Sequence, residues 1–118
     1  MQSPKNPRVE KSRAYQRLVR KLTKENLWLF IISLLLNKPM YAYEVKIHLK
    51  ERYGLNVATV TVYTVLYRMK HEGLLATYEE SGTKYYKVTE KGVIVYKEAK
   101  RFLHRILKLL EDINNMTT

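Results

Sequence analysis

The most continuous apolar stretch of the chain is Leu27–Leu36, where a single serine interrupts a run of large hydrophobic residues. Its ten residues are too few to span a bilayer, which needs about 20. No small-residue cleavage site follows, so the run predicts a buried core helix rather than a signal peptide. Asn37 and Pro39 predict its end. Thr23 with Asn26 predicts a cap at its start, although a helix continuous with the preceding segment remains an alternative.

Upstream of that run, apolar residues occur at helical spacing from about Arg8 onwards, in a segment dominated by basic residues. Those at i, i+3, i+4 and i+7 define one face of a helix: Tyr15, Leu18, Val19 and Leu22. Two compatible interpretations are open, a basic helix that packs this face on the core and an arm that lies on phosphates. A mitochondrial presequence has a similar pattern, but nothing downstream resembles a matrix enzyme.

A second helix is predicted over Tyr41–Tyr53, because apolar and charged residues separate onto two sides. The apolar side consists of Tyr43, Val45, Ile47 and Leu49. Gly54 follows directly, at the position where glycine commonly ends a helix by adopting a left-handed backbone.

The next segment, Thr59–Val65, is ambiguous, because its β-branched residues favour a strand. Up to Gly73, however, Val62, Leu66 and Met69 repeat at helical spacing, which favours a helix. That helix would turn hydroxyls, a phenol and a guanidinium away from the core. These side chains are Thr61, Thr64, Tyr67, Arg68 and His71. Side chains of this kind bond to base edges and phosphates.

Two strands are predicted, Leu74–Tyr78 and Tyr85–Thr89. They are joined by Glu79–Lys84, in which Gly82 suits a hairpin turn. The order of elements is then three helices followed by a hairpin, which is the winged-helix arrangement.

A final helix is predicted from Thr89 to about Ile113, about 36 Å long at 1.5 Å per residue. Along it, apolar residues alternate three and four positions apart, which is the pattern of a heptad seam. The seam residues are Tyr96, Ala99, Leu103, Ile106, Leu110 and Ile113. Val95, Phe102 and Leu109 widen the seam. One small winged domain cannot cover such a helix, so the pattern predicts association of two copies, with an intramolecular lid on the core as the alternative.

Three motifs resemble those of a known family. Residues Pro39–Glu44 (PMYAYE) resemble the proline-led GYE stretch of PadR-type transcriptional regulators. Residues Thr61–Leu74 (TVYTVLYRMKHEGL) resemble their recognition helix, TVYPAL-x-RLE-x-EGL. Residues Lys84–Gly92 (KYYKVTEKG) resemble their wing strand, RRYYRLTEKG. Thr64 stands where that family has proline, which adds an N–H and a hydroxyl near the helix start.

The resemblance covers roughly residues 27–110. It implies a mainly α fold with a small β-hairpin, that is, a winged helix-turn-helix plus a C-terminal dimerisation helix. The short tail after the wing resembles the subgroup with a single such helix, and the family implies a two-fold dimer through this helix and the first core helix. We therefore expect a basic arm or helix over residues 1–22, a DNA-binding winged domain over 23–89, and the dimerisation helix with a short tail over 90–118.

Charge sharpens this picture. Lysine and arginine number 22 against 11 acidic residues, a net charge of +11, which predicts an anionic partner. Residues 1–22 hold seven basic residues against Glu10 alone, whereas residues 39–89 hold seven against five. The predicted reading unit is therefore nearly neutral, and the arm is strongly basic. The chain has no cysteine, which excludes disulfides, thiolate zinc sites and cysteine nucleophiles.

Nothing in the sequence predicts catalysis, a metal or a cofactor. The histidines stand outside any metal-ligand spacing: His48, His71 and His104. Nucleophile-elbow, P-loop and dinucleotide motifs are absent from the sequence, so we do not expect an enzyme. Trp28 and Phe30 lie near the predicted dimer seam. They line either a small-molecule effector pocket, as aromatic residues do in some relatives, or the core, which burial statistics favour.

The sequence thus predicts a cytoplasmic, sequence-specific transcriptional regulator, expected to be a repressor. It would bind double-stranded DNA as a homodimer on a palindromic site, with no membrane partner. The family motif places Tyr63 at the DNA, and helical phase and the wing place the other contacts. The expected DNA contacts are Thr59, Thr61, Tyr63, Thr64, Tyr67 and Arg68 on the recognition helix, Ser81, Thr83, Lys84 and Lys87 on the wing, and Arg13, Arg17 and Arg20 on the arm. The expected dimer contacts are Trp28, Tyr96, Ala99, Phe102, Leu103, Ile106, Leu110 and Ile113.

Two other classes of function remain open. A non-specific architectural chromatin protein fits the basic charge and the seam equally well, and competition between a defined site and random DNA separates the two. An interaction module, whose seam and arm bind another protein or an anionic membrane, ranks last, because the apolar face of the arm is narrow for anchoring.

Overall fold

The structure is a computed structural model and describes residues 6–116 of the chain. The elements are α1 (Pro7–Glu10), α2 (Arg13–Leu22), a 3-10 turn (Lys24–Asn26), α3 (Leu27–Leu35), α4 (Ala42–Tyr53), α5 (Thr59–His71), β1 (Leu75–Glu80), β2 (Thr83–Val88) and α6 (Glu90–Met116). This order confirms the mainly α winged-helix fold with a C-terminal helix. The first five residues of the predicted arm lie outside the described residues.

The N-terminal segment does not form one continuous helix with the apolar run Leu27–Leu36, which was the alternative that the sequence left open. The Ser12 hydroxyl accepts a hydrogen bond from the Tyr15 N–H at 3.2 Å and so starts α2 as a separate helix. At Thr23 the backbone leaves helical geometry, with φ −120° and ψ −85°. The alternative of a helix running unbroken into the apolar run is therefore wrong.

The predicted cap of α3 is also wrong, because neither side chain bonds to the first turn of that helix. The Thr23 hydroxyl donates to the Val19 carbonyl at 2.6 Å, back into α2. The Asn26 carboxamide donates to the Lys21 carbonyl and accepts the Trp28 indole N–H at 3.2 Å. Both polar side chains therefore stabilise the junction between α2 and α3, and neither caps the first turn of α3.

The core forms between α3, α4 and α5. Ile31, Ile32 and Leu34 of α3 are fully buried, as expected for a short helix that is apolar on most of its surface. On α4 the buried residues are Ala42, Val45 and Leu49. Tyr43, predicted on the apolar side, is 55% exposed, because the residues facing the core follow the three-and-four spacing from Ala42.

The ambiguous segment is helical, as the structure places Thr59–His71 in α5. Its buried residues are Val62, Leu66 and Met69, three and four positions apart. A strand would have buried every second residue instead. Packing against α3 and α4 thus outweighs the β-propensity of the threonines and valines.

The wing is an antiparallel hairpin in which Tyr78 pairs with Tyr85 and Glu80 with Thr83. Its turn is only Ser81 and Gly82, with φ of 52° and 77°. Two positive φ values in a two-residue loop match the right-handed twist of the strands. The strands therefore extend further into the predicted loop than the sequence indicated.

The start of α6 is fixed against the hairpin and the end of α5. The Thr89 hydroxyl accepts the Gly92 N–H at 3.0 Å and donates to the Gly73 carbonyl at 2.6 Å. A Cβ at Gly92 would collide with the Leu74 carbonyl oxygen and lie 2.8 Å from Val88 Cγ1. The helix can therefore cross this close to the chain only with glycine there.

Beyond its start, α6 leaves the winged domain. Val95 and Tyr96 pack against the core, and from Arg101 to Asn115 nearly every side chain is exposed. At 27 residues, α6 is about 40 Å long and gives the molecule its long axis of 60 Å. Within the described part of the chain, no helix combines the length and the hydrophobicity needed to cross a membrane.

Candidate nucleic-acid interface

The outer face of α5 is polar and open. It lies opposite the buried Val62 and Leu66, and it carries hydroxyl, phenol and guanidinium groups. Thr59, Thr61, Tyr63, Thr64, Tyr67 and Arg68 are all exposed, Tyr67 to 69%. All six recognition-helix residues predicted from the sequence are therefore accessible to solvent.

Two of these hydroxyls form hydrogen bonds within the protein, and these bonds limit whether each can still donate or accept. The Thr64 hydroxyl donates to the Val60 carbonyl at 2.8 Å, within α5. Its proton is therefore used, and the side chain presents acceptor lone pairs and a methyl group. The Thr59 hydroxyl accepts from the Lys46 ammonium at 3.2 Å, which brings a cation of α4 to the first turn of α5.

Arg68 lies in a groove of about 540 Å³ between α5 and the junction of α2 with α3. The groove is lined on the other side by Lys24 and Trp28. Within the described residues, the Arg68 guanidinium has no hydrogen-bond or ion-pair partner. The lining also includes the carboxylates of Glu25 and Glu72, so the groove carries charges of both signs, and Arg68 is its unpaired hydrogen-bond donor.

A second opening, of about 370 Å³, separates α5 from the wing. Lys70 and His71 line it from α5, and Lys84 lines it from β2. The His71 ring stacks on Tyr67, with centroids 6.1 Å apart and planes 10° from parallel. Lys70 is missing from the sequence-predicted contacts, and His71 was predicted to face away from the core but was not included among them. Both lie one turn after Tyr67, and this spacing was the available signal.

The two predicted lysines of the wing lie on opposite faces. Lys84 Nζ is 5.8 Å from the centroid of Tyr86 and faces α5, whereas Lys87 Nζ is 5.8 Å from the centroid of Tyr78 on the outer face. Their separation of three positions along a strand requires this. On the outer face Tyr78 and Tyr85 stack at 5.5 Å. The structure thus brings Lys84, and not Lys87, beside the recognition helix.

At the tip of the wing, Ser81 is exposed and Thr83 is half-buried. Glu79 stands opposite Lys84 in the ladder. Lys84 therefore has an acidic cross-strand neighbour, and it is the wing lysine that lines the opening beside α5. Behind it, burial raises the pKa of the Tyr86 phenol, with a smaller contribution from Tyr63.

The arm residues are not equivalent. Arg13 and Arg17 have no ion-pair partner among the described residues. Arg20 lies 3.1 Å and Lys21 2.7 Å from the Glu25 carboxylate. The Lys21 hydrogen bond, followed by that from Arg20, holds the pKa of Glu25 below its usual value. Arg13 and Arg17 are therefore the free cations of α2.

Half of the predicted dimer contacts are exposed in the single chain, and the other half are partly buried. Phe102, Ile106, Leu110 and Ile113 are exposed, Leu110 to 58%, while Trp28, Tyr96, Ala99 and Leu103 are half-buried. Leu107 and Leu109 are exposed as well. Trp28 and Phe30 pack against the core, and the Phe30 ring meets Tyr53 edge-on at 5.0 Å.

The described residues contain no group of three or more histidine and carboxylate side chains placed to hold a metal ion. His48 is half-buried, and its Nδ1 lies 3.9 Å from Glu51 on the same helix.

Comparison with known families identifies the fold. A sequence model described as the Transcriptional regulator PadR-like family matches residues 31–98, from the middle of α3 into α6. The chain belongs to this family. Its members are transcriptional regulators, so the PadR resemblance of the three sequence motifs is confirmed. A comparison with curated protein sequences finds no match.

Solved structures of PadR-like regulators agree with this assignment. A PadR family regulator from Eggerthella lenta is 25% identical, with a TM-score of 0.69, over 86% of this chain and 96% of its own. A PadR-like transcription factor from Bacteroides fragilis is 29% identical, with a TM-score of 0.68, over 82% and 98%. One from Clostridium difficile is 28% identical, with a TM-score of 0.64, over 73% and 95%.

Proposed function

We propose that this PadR-like regulator binds double-stranded DNA with α5 in the major groove. The observation that supports it best is the division of α5 into a buried apolar face and an exposed face of hydroxyl, phenol and guanidinium groups. Thr61, Tyr63 and Thr64 lie in its N-terminal half, the part that reaches base edges in helix-turn-helix proteins. Arg68, one turn further on, offers a bidentate contact to guanine or phosphate.

The opening between α5 and the wing would hold the sugar-phosphate backbone. Lys70 and Lys84 approach it from two elements, and His71 and Tyr67 add hydrogen-bond donors. Contacts of this kind position the protein without reading sequence. We assign Ser81 and Thr83 to the adjacent backbone or minor groove, and Lys87, on the other face, to a weaker role.

The arm would supply much of the salt-dependent affinity. Residues 39–89 carry only two net positive charges, whereas Arg13 and Arg17 of α2 are exposed and unpaired within the described chain. Each phosphate neutralised by such a cation releases counterions and steepens the dependence on salt. Arg20 contributes less in this proposal, because Glu25 already binds it.

The active form in this proposal is a homodimer joined through α6. Its exposed seam of Ile106, Leu110 and Ile113 is typical of a two-helix association. Two-fold symmetry then implies a palindromic site with half-sites about 34 Å apart. Repression would follow from occupancy, since a dimer bound across a promoter excludes other proteins from it.

A small-molecule effector would fit the groove beside Trp28. Its volume of about 540 Å³ lies within the range of known ligand sites, roughly 300–1,000 Å³. Because Arg68 and Thr64 line the same groove, an occupant would compete with DNA. Quenching of Trp28, the only tryptophan, by a candidate compound would detect binding directly.

Selection of bound sequences from a random DNA pool tests the proposed function. We expect enrichment of a palindrome, and competition by random DNA at least about a thousandfold weaker than by the selected site. Binding without enrichment, with equal competition by random DNA, would instead assign the chain to the non-specific architectural class. No binding at moderate salt would contradict both.

A further inference from the structure

The opening between α5 and the wing contains one histidine, His71, at the last position of α5. Histidine is the side chain whose charge ordinarily changes near neutral pH. The His71 side chain is exposed, and its ring stacks on that of Tyr67. Neither nitrogen of the imidazole has a hydrogen-bond partner within residues 6–116. Both nitrogens are therefore available to a ligand in the opening.

The groups around this imidazole are mainly cationic. The titratable side chains that face it are two ammonium groups, one carboxylate and two phenols: Lys70 and Tyr67 of α5, Lys84 and Tyr86 of β2, and Glu79 of β1. Glu79 stands opposite Lys84 in the ladder but forms no ion pair with it. The cations outnumber the carboxylate, so the opening attracts an anion.

A phosphate of the DNA backbone in this opening would favour the protonated form of the imidazole. A neutral imidazole has one donor nitrogen, whereas an imidazolium has two. A hydrogen bond from a charged donor to an anion is roughly twice as strong as one between neutral groups. An opposite charge within hydrogen-bonding reach also favours the charged form directly. Binding of DNA and binding of a proton are therefore coupled at this position.

We propose that His71 takes up a proton when the DNA backbone enters the opening, so that affinity for DNA rises as the pH falls. The proposal rests on the proposed function and adds a regulation of the same site. The DNA-bound protein then holds more protons than the free protein, so raising the pH weakens binding. The neighbouring lysines and the phosphodiester keep their charge between about pH 6 and pH 8, and histidine does not.

Titration of DNA at constant ionic strength from about pH 6 to pH 8 tests the proposal. We expect the unmodified protein to bind about tenfold more weakly at the higher pH, the loss of one hydrogen bond to a charged group. His71→Gln has no titrating group and should bind equally weakly at both. His71→Arg has a fixed charge and should bind tightly at both. His104→Gln, at an exposed position of α6, is the matched control and should retain the dependence.

Two further measurements follow the proton itself. Calorimetry in two buffers of different ionisation enthalpy counts the protons bound with DNA, and we expect up to about one per copy at neutral pH and none for His71→Gln. The salt slope of the unmodified protein should be steeper at the lower pH by up to about one per copy. The same change is expected on random DNA, because phosphate contacts carry no sequence information.

The remaining outcomes separate this proposal from the proposed function. DNA binding that does not change with pH and takes up no proton overturns the role of His71 and leaves the proposed function intact, whereas no binding at either pH overturns both. A dependence that survives in His71→Gln assigns the proton to another group, such as His48 or the terminal amine, and overturns the proposal. A dependence confined to the selected site would place His71 at a base edge, and the assignment to a phosphate would then be wrong.

Discussion

At the scale of single residues, the face of α5 is defined by which hydrogen-bonding groups remain unused. Thr64 has committed its proton to the Val60 carbonyl and can only accept, whereas the exposed phenol of Tyr63 has no hydrogen bond within the described chain and can donate or accept. Arg68 keeps all its donors. The surface therefore combines acceptors, donors and a methyl group within two helical turns, as base readout requires.

Loss of one of these groups should change site preference more than total affinity. We expect Thr64→Ala to reduce the ratio of specific to random binding about fivefold, since a single hydrogen bond contributes about 1 kcal/mol. Thr64→Ser keeps the hydroxyl and should retain the ratio. Titration of the selected site and of random DNA measures it, and equal losses on both would count against base readout at this position.

The two lysines of the wing give a matched pair. Lys84→Ala should weaken binding to all sequences and lower the salt slope by about one, because it removes a phosphate contact beside α5. Lys87→Ala carries the same change in charge on the opposite face and should change the slope less. A salt titration of both variants distinguishes the two faces. A larger change of slope for Lys87→Ala than for Lys84→Ala would place the DNA on the outer face of the wing.

At the scale of elements, α2 and α6 differ in how they are attached to the winged domain. The start of α6 is fixed by Thr89 and by the close approach of Gly92 to Leu74. By contrast, α2 is joined to the domain through the short hydrogen bonds and ion pairs around Thr23 and Glu25. Exposed ion pairs contribute little stability, so these contacts hold α2 less firmly than Thr89 and Gly92 hold the start of α6.

Removing the free cations of α2 should flatten the salt dependence of DNA binding. For Arg13→Ala with Arg17→Ala we expect a slope smaller by up to about two phosphate contacts, on specific and random DNA alike. Arg20→Ala is the control within the same helix, and should matter less because Glu25 pairs with Arg20. An unchanged slope in the double variant would remove the arm from the interface.

Gly92 is where a side chain would separate α6 from the winged domain. Gly92→Ala should lower the free energy of unfolding by about 1–3 kcal/mol, the usual range for overpacking, because the new Cβ meets the Leu74 backbone. Gly82→Asn should cost far less, since nothing lies within 4 Å of Gly82 and asparagine tolerates a left-handed backbone. Urea denaturation compares the two, and similar losses would contradict the close crossing.

At the scale of the whole molecule, the length of α6 and the small size of the domain decide what a single copy can bury. The core is complete around α3, α4 and α5, while the second half of α6 lies outside it. A large exposed apolar face commonly marks an association surface. For this reason we place affinity for DNA in the dimer rather than in one winged domain.

Charge placed in the seam should therefore separate the copies. Ile106→Glu with Leu110→Glu should shift the sedimenting species from dimer to monomer and weaken binding to the palindrome more than to a half-site. Lys108→Glu adds an acidic residue on the other side of α6 and should leave the dimer intact. A double variant that still sediments as a dimer would place the interface elsewhere.

The sequence by itself determined the order of the elements and most of the core, because helical spacing, Gly54 and the hairpin motif are local signals. The resemblance to PadR-like regulators followed from three such motifs. Local signals did not determine whether Thr59–Val65 was a helix or a strand. They also gave the wrong cap for α3, since Asn26 bonds to Lys21 and Trp28 instead.

Tertiary structure alone decided which side chains meet. Lys70, His71 and Lys84 converge only because the wing folds back beside α5, and Lys84 and Lys87 separate only through the register of the strands. Partners such as Glu25 distinguish Arg20 from Arg17 in a way that composition does not. The physical reason is that helix and turn propensities act over a few residues, whereas contacts between elements depend on how distant segments pack together.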